Sequence, residues 1–418
     1  MEELNLKHVV ILGDGMADFP IPELGGKTPL QKAYKPNMDF IAKHGILGLV
    51  KTVPDGISPG SDTANLSVFG YDPIKYYTGR SPLEAVGMGI DMAPDDVAFR
   101  CNLVTLSDEP VYNEKTMLDY SSGEISTEEA AELIHAVNRT LGSDELVFCP
   151  GISYRHCLLW KNGPNKFNLT PPHDILTQKI NAYLPEPDEN HKKIYSLMEK
   201  SIAIFKDHPV NQSRIAKGLN PASSIWLWGN GKKAALPSFR KKYHTEGAVI
   251  AAVDLLKGIA LCADLQFIEV EGATGNLHTN FTGKANAAIQ AMKTGTDFIY
   301  LHLAAPDECG HHYEIENKVK AIALIDEKVV GPILQALSQY DDYKVLVLPD
   351  HPTPLSLRTH TSDPVPFAMY QKSKHDTATA QNLAKANNTL LPYDEDTAAS
   401  TGLFVDPGYT LMDMFIES

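Results

Sequence analysis

His8-Val-Val-Ile-Leu12-Gly-Asp14-Gly15 is a short apolar, β-branched run that stops at an acid held between two glycines. Such a run reads as a buried strand that hands a carboxylate to the loop beyond its end. The same grammar returns twice late in the chain. Asp297-Phe-Ile-Tyr-Leu-His-Leu303 leads into Ala-Ala-Pro-Asp307, and Lys344-Val-Leu-Val-Leu-Pro349 leads into Asp350-His351. Three strands thus each place an acid just past their carboxyl end, where open α/β sheets bind ligands.

Helices are expected to alternate with these strands, at 61–69, 246–262, 283–294 and 315–339. That alternation predicts an α/β fold: a mainly parallel sheet flanked by helices. The middle of the chain reads differently. A helix is expected over 123–142, capped by Ser126 or Thr127, followed by strand-like pieces at 146–149 and 156–160. A Pro/Asn-rich loop stretch, 163–191, precedes a helix near 191–206 and the strand Ser224-Ile-Trp-Leu-Trp228. Trp226 and Trp228 share one strand face and are expected in a core. A chain of 418 residues exceeds one compact core. The expected division is a discontinuous catalytic domain, 1–90 plus 245–418, interrupted by a smaller inserted α+β domain, 91–244, that closes over substrate.

The formal charge is −15, from 52 acidic against 37 basic residues, which argues against nucleic acid and anionic membrane as partners. A small anionic substrate remains open, because a few local cations can dominate one cleft. Met1-Glu-Glu-Leu-Asn-Leu-Lys7 lacks a basic segment followed by an apolar one, so no secretion leader is expected. No run of about 18 apolar residues is present to span a bilayer. Five scattered cysteines, 101, 149, 157, 262 and 309, form no CxxC pair and point to a reducing cytoplasm.

The chemistry lies in a conjunction. Asp307-Glu-Cys-Gly-His311 sets a carboxylate and an imidazole four residues apart; Asp350-His351 is an adjacent pair; His360 follows; Asp14 adds a fourth acid. Mixed carboxylate and imidazole ligands suit Zn, Mn or Fe and fit the two-metal arrangement of phosphatases. Each alone reads as a loop acid, a helix cap or a surface pair; together at three strand ends they read as a site. Ser61, in Ile57-Ser-Pro-Gly-Ser61-Asp-Thr-Ala-Asn-Leu66, follows a Pro-Gly turn that opens a helix, where N–H groups favour an anion. It is either a plain N-cap or a nucleophile activated by a divalent metal. Ser58 and Ser67 are weaker choices. Arg80, Arg155, Arg214 and Lys232, with Lys233 beside it, are the basic groups chosen to hold a phosphate or carboxylate. Gly272-Ala-Thr-Gly275 lacks the Gly-Lys-Ser/Thr ending of a phosphate loop.

Leu12-Gly-Asp14-Gly-Met16, Pro59-Gly-Ser61-Asp-Thr-Ala-Asn-Leu66, Pro306-Asp307-Glu-Cys-Gly-His311, Pro349-Asp350-His351 and His360-Thr-Ser-Asp-Pro-Val-Pro-Phe367 together resemble one family. It is the archaeal-type branch of cofactor-independent phosphoglycerate mutases, within the alkaline-phosphatase superfamily. Tyr77-Thr-Gly-Arg80-Ser-Pro-Leu-Glu-Ala85, Phe99-Arg-Cys-Asn102, Tyr154-Arg-His156 and Trp226-Leu-Trp-Gly-Asn-Gly231 extend the likeness over nearly the whole chain.

The resemblance implies two metal sites, one on Asp307, His311 and His360, the other on Asp14, Ser61, Asp350 and His351. Mn is the expected ion, with Zn, Mg or Co as alternatives, and no 2,3-bisphosphoglycerate is needed. Ser61 would take the phosphoryl group of 3-phosphoglycerate and return it to the other hydroxyl of the retained glycerate, giving 2-phosphoglycerate. The bacterial branch grips substrate with an Arg-rich segment and a Lys; here the counterparts stop at Arg155, Arg214 and Lys232-Lys233. Proteins resembling this one have also been proposed as homoserine kinases, so a related phosphotransferase or a phosphomonoesterase stays open.

Overall fold

The computed structural model describes residues 6–185, 188–374 and 392–417. Residues 1–5, in the stretch read for a leader, and 186–187, in the loop-rich stretch, lie outside them. The strands of the first half are β1 (Leu6–Gly13), β2 (Ile46–Val50), β3 (Val97–Leu106), β4 (Met117–Asp119), β5 (Leu146–Cys149) and β6 (Arg155–Trp160). Those of the second half are β7 (Ser224–Lys232), β8 (Gly247–Ile250), β9 (Gln266–Phe267), β10 (Phe298–Leu303), β11 (Asp342–Leu348), β12 (Val365–Gln371) and β13 (Phe404–Val405).

The chain divides into two compact units, 1–77 with 236–418, and 78–235. The divisions fall at Tyr77/Thr78 and Ala235/Leu236, where the sequence reading had 90/91 and 244/245. The helix Arg80–Gly87 accounts for the first: it buries Leu83, Ala85 and Val86 and packs on β3 and β7 of the second unit.

The first unit is an eight-stranded sheet in the order β13-β2-β12-β11-β1-β10-β8-β9. The five strands from β11 to β9 pair in parallel, and β12 alone runs against its neighbours. Helices flank it, so this is the α/β class with a mainly parallel sheet. In β1, Val9, Val10, Ile11 and Leu12 are wholly buried, as a parallel strand covered on both faces requires. The second unit is a five-stranded sheet in which β3 pairs antiparallel with β4, β6 and β7, and β6 with β5. Its separate core joins Phe99, Leu133, Leu158, Phe205 and Trp226. Ser126 caps the helix Thr127–Leu141 by accepting from the Glu129 N–H.

Three sequence expectations change. The stretch 246–262 is not one helix: Gly247–Ile250 forms β8, parallel to β10, and the helix starts at Asp254. A four-residue apolar run fits either element, and only the pairing decides. A Cβ on Gly247 would meet the Phe298 ring at 2.6 Å, so the strand contact needs that glycine. The stretch 315–339 is broken into Ile315–Ile325, a π-turn at Asp326–Val330 and Gly331–Leu337. The buried Asp326 carboxylate there accepts from the Asn37 and Met38 N–H groups and so caps the helix Pro36–His44. Trp226 is core, but Trp228 is half-buried: its Nε1 donates to Asn102 Oδ1 at 3.0 Å. No helix among the described residues is long and apolar enough to cross a membrane.

Candidate metal centre and nucleophile

Register sets the site. Gly13 lies opposite Leu303, and Leu12 opposite Leu348, so β1, β10 and β11 end along one edge. The residues that follow must gather there. Asp14 comes first, its N–H donating to Leu303 O at 3.0 Å. Gly15 has φ +62°, and a Cβ on it would stand 2.8 Å from the Asp307 Cα. Glycine is required by both the left-handed backbone and the space, which is how β1 delivers its acid against the helix Ala305–His311 that follows β10.

All seven residues of the expected ligand set converge at this edge. His351 Nε2 lies 3.1 Å from Ser61 Oγ, 3.4 Å from Asp350 Oδ2 and 3.6 Å from Asp14 Oδ1. Asp307 faces His311 Nε2 at 3.3 Å and His360 Nε2 at 3.4 Å, and these two nitrogens are 3.0 Å apart. The His351 and His360 rings join the two halves, with centroids 4.1 Å apart. The donor atoms form two triads, each within 4.8 Å: Asp14, Asp350 and His351, and Asp307, His351 and His360. The grouping departs from the sequence reading in one respect, because His351 belongs to both triads and His311 stands beside the second.

The donor chemistry fits divalent cations. Asp14 and Asp350 are 4% and 0% exposed, and two buried carboxylates beside one imidazole need a positive charge among them. His311 Nδ1 faces Arg358 O at 3.0 Å, which leaves Nε2 turned to the centre. The Asp307 carboxylate hydrogen-bonds His311 and raises it to about 9 against the effect of burial.

Ser61 is the first residue of the helix Ser61–Val68; Gly60 occupies the cap position, and the side chain that accepts from a first-turn N–H is that of Asp62, from Thr63 at 2.9 Å. The plain N-cap role therefore does not hold, and the hydroxyl turns to His351 instead. Other polar groups stand behind the donors, and the sequence reading gave them no role. His302 Nε2 is 3.1 Å from Asp14 Oδ2, and burial pushes this imidazole down to about 4. Lys284 Nζ, itself buried, donates to His302 O at 3.1 Å. Thr353 Oγ1 donates to Asp307, and Lys318 Nζ holds Thr353 O at 2.8 Å while paired with Asp18 at 2.7 Å. The available signal was a polar residue inside an apolar run, as in Tyr-Leu-His-Leu.

The basic residues sort clearly within the second unit. Glu84 takes Arg80 Nε at 2.7 Å and Arg100 Nε at 3.2 Å. Arg100 lies 4.6 Å from the Trp228 ring, and Arg155, 5.3 Å from the Tyr154 ring, also acts on Glu84. Burial works against the Glu84 charge, yet Arg100 and then Arg80 hold its carboxyl below the usual range. Arg100 is the member that the sequence reading missed, hidden inside β3. Arg214 is a correction. Its side chain is 3% exposed, and Nε, Nη1 and Nη2 bind Asn220 O, Glu129 and Ser122 O, so it cross-links its own unit. Lys232 is also better described as a surface pair with the exposed Asp95, at 2.9 Å.

An open α/β sheet that gathers acids, imidazoles and one hydroxyl beyond its strand ends has the makeup of an enzyme active site. A family model described as 2,3-bisphosphoglycerate-independent phosphoglycerate mutase matches residues 42–211. A Methanosarcina mazei protein of that name is 50% identical over 416 residues, covering 99% of this chain and all of its own. A Geobacter sulfurreducens protein, named as a probable enzyme of that kind, is 48% identical over 412 residues at the same coverage. The chain belongs to the family of 2,3-bisphosphoglycerate-independent phosphoglycerate mutases. Among solved structures, the PH0037 protein of Pyrococcus horikoshii matches with a TM-score of 0.80 at 28% identity, covering 99% of this chain and 97% of its own. The cofactor-independent phosphoglycerate mutase of Thermoplasma acidophilum matches at 0.64 and 27%, covering 99% of each chain.

Proposed function

We propose that this chain interconverts 3-phosphoglycerate and 2-phosphoglycerate through a phosphoserine on Ser61, with two divalent ions and without 2,3-bisphosphoglycerate. The supporting observation is the 3.1 Å approach of Ser61 Oγ to Nε2 of His351, a residue that belongs to both donor triads. In this reading Asp14, Asp350 and His351 hold one ion with Ser61 beside it, and Asp307, His360 and His311 hold the other. Manganese suits this mixed oxygen and nitrogen set, as zinc, cobalt or magnesium does in part. Bound ions neutralise the phosphoryl oxygens and ease proton loss from the nearby hydroxyl.

The chain's own groups do the rest. Ser61 Oγ attacks phosphorus in line, the bond to the glycerate oxygen breaks, and that oxygen takes a proton as Ser61 gives one up. The Ser61 and Asp62 N–H groups at the start of the Ser61–Val68 helix favour the transferred anion, while the Thr63 N–H is held by Asp62. Arg80, Arg100 and Arg155 are the cations of the second unit suited to bind a substrate carboxylate, and transfer back to a retained glycerate requires that water be kept out. Five scattered cysteines fit a cytoplasmic setting.

The test is an assay of purified protein with 3-phosphoglycerate alone, then with homoserine plus ATP. Formation of 2-phosphoglycerate in the first, lost on chelation and regained with Mn, is the expected result. Product only in the second, or full activity in metal-free protein, would overturn the reading.

A further inference from the structure

Asn65 lies one turn after Ser61 on the same helix and is wholly buried. Its Nδ2 donates to Ser61 O at 2.8 Å and to Asp350 Oδ2 at 2.8 Å. Its Oδ1 accepts from Tyr300 Oη at 2.6 Å. The partners settle which way the amide points, because a carbonyl and a carboxylate can only accept, so the nitrogen must face both. Tyr300 is wholly buried in β10, with its ring stacked on Phe69 at 3.9 Å, so its hydroxyl is aimed by packing rather than by choice.

Asp350 is thereby fixed at both oxygens. Oδ1 accepts from the Gly15 N–H at 3.2 Å and the His351 N–H at 3.0 Å, and Oδ2 accepts from Asn65. One amide therefore ties together three separate pieces: the helix that carries the hydroxyl, the loop after β11 that carries the carboxylate, and strand β10. We propose that Asn65 is a positioning residue that locks the Ser61 helix to the Asp350 carboxylate, and that Tyr300 acts through it by fixing the amide. This rests on the reading of Ser61 as nucleophile and Asp350 as a metal donor. The physical stake is alignment, since a misplacement of about 1 Å costs on the order of 100-fold in rate.

The experiment compares full-length Asn65→Leu, Tyr300→Phe and the double variant with wild type, reading Mn2+ affinity by calorimetry, kcat and KM for 3-phosphoglycerate, and thermal melting. Asn65→Leu is expected to weaken one class of Mn2+ site and lower kcat by about 10–100-fold, with KM within about twofold. Tyr300→Phe should lose less, and the double variant no more than Asn65→Leu, because the tyrosine acts only through the amide. A purely structural role predicts the opposite: lower melting temperatures, additive losses, and unchanged kcat and Mn2+ affinity in the folded protein. That result overturns the proposal. Should Asn65→Leu fail to fold, Tyr300→Phe decides, with wild-type kcat and Mn2+ affinity as the overturning outcome. Wild-type protein that binds no Mn2+ would remove the metal reading and this role with it; Mn2+ binding with unaltered variants removes the role alone.

Discussion

The two units solve the charge problem in opposite ways. The first gathers Asp14, Asp307 and Asp350 with three imidazoles at the carboxyl edge of a parallel sheet. The second sets three guanidiniums around Glu84, two of them on strands of an antiparallel sheet. One unit thus calls for cations and the other for anions. A net charge of −15 describes neither. The lesson is that a parallel sheet concentrates chemistry at its strand ends, where loops meet, whereas an antiparallel sheet offers its face.

The sharpest way to break this contrast is at the hydroxyl. Ser61→Ala should lower mutase turnover by at least about 10³-fold while Mn2+ binding by calorimetry persists; retained turnover would end the covalent scheme. On the other side, Arg100→Ala should raise KM for 3-phosphoglycerate by about 10–100-fold with a smaller change in kcat. Arg100→Lys should restore only part of it, since the planar group over Trp228 is lost. An unchanged KM would detach the second unit from substrate anchorage.

A smaller effect separates stability from chemistry in the first unit. Burial raises Glu395 from 4.5 to about 7, against the hydrogen bond it accepts from Thr28. The folded chain therefore holds a proton that the unfolded chain releases above 4.5. This contribution is complete below pH 4.5 and is lost as pH rises through about 7. Wild type should lose a few degrees more of melting temperature between pH 5 and 8 than Glu395→Gln does. Equal pH dependence would show that Glu395 is not the titrating group. The smallest effect belongs to Lys232→Ala, which removes an exposed pair and should shift stability by less than about 0.5 kcal/mol and KM by less than about twofold.

Much of the first unit was legible in the sequence for a physical reason. Strands covered on both faces must be apolar throughout, so β1, β10 and β11 announce themselves, and the acids beyond them follow. β8 carries the same signal, but four residues are too few to tell a strand from a helix start without its partner. The donors were legible as a set; their grouping was not, because the shared place of His351 exists only once the loops are folded. His302 stayed hidden as a polar residue inside an apolar strand, and Asn65 and Arg100 because their partners Asp350, Tyr300 and Glu84 are brought to them only by the fold. Arg214 and Lys232 show the converse. A basic residue in sequence carries no mark of whether a neighbour has already used its charge.

The place of His351 in both triads has one last consequence. Its Nδ1 faces Thr353 Oγ1 at 3.3 Å, and its Nε2 faces Ser61, Asp350 and Asp14. A lone pair binds one ion at a time. Two bound ions would therefore divide the imidazoles between them, His351 going to the Asp14 and Asp350 side and His311 joining His360 on the Asp307 side.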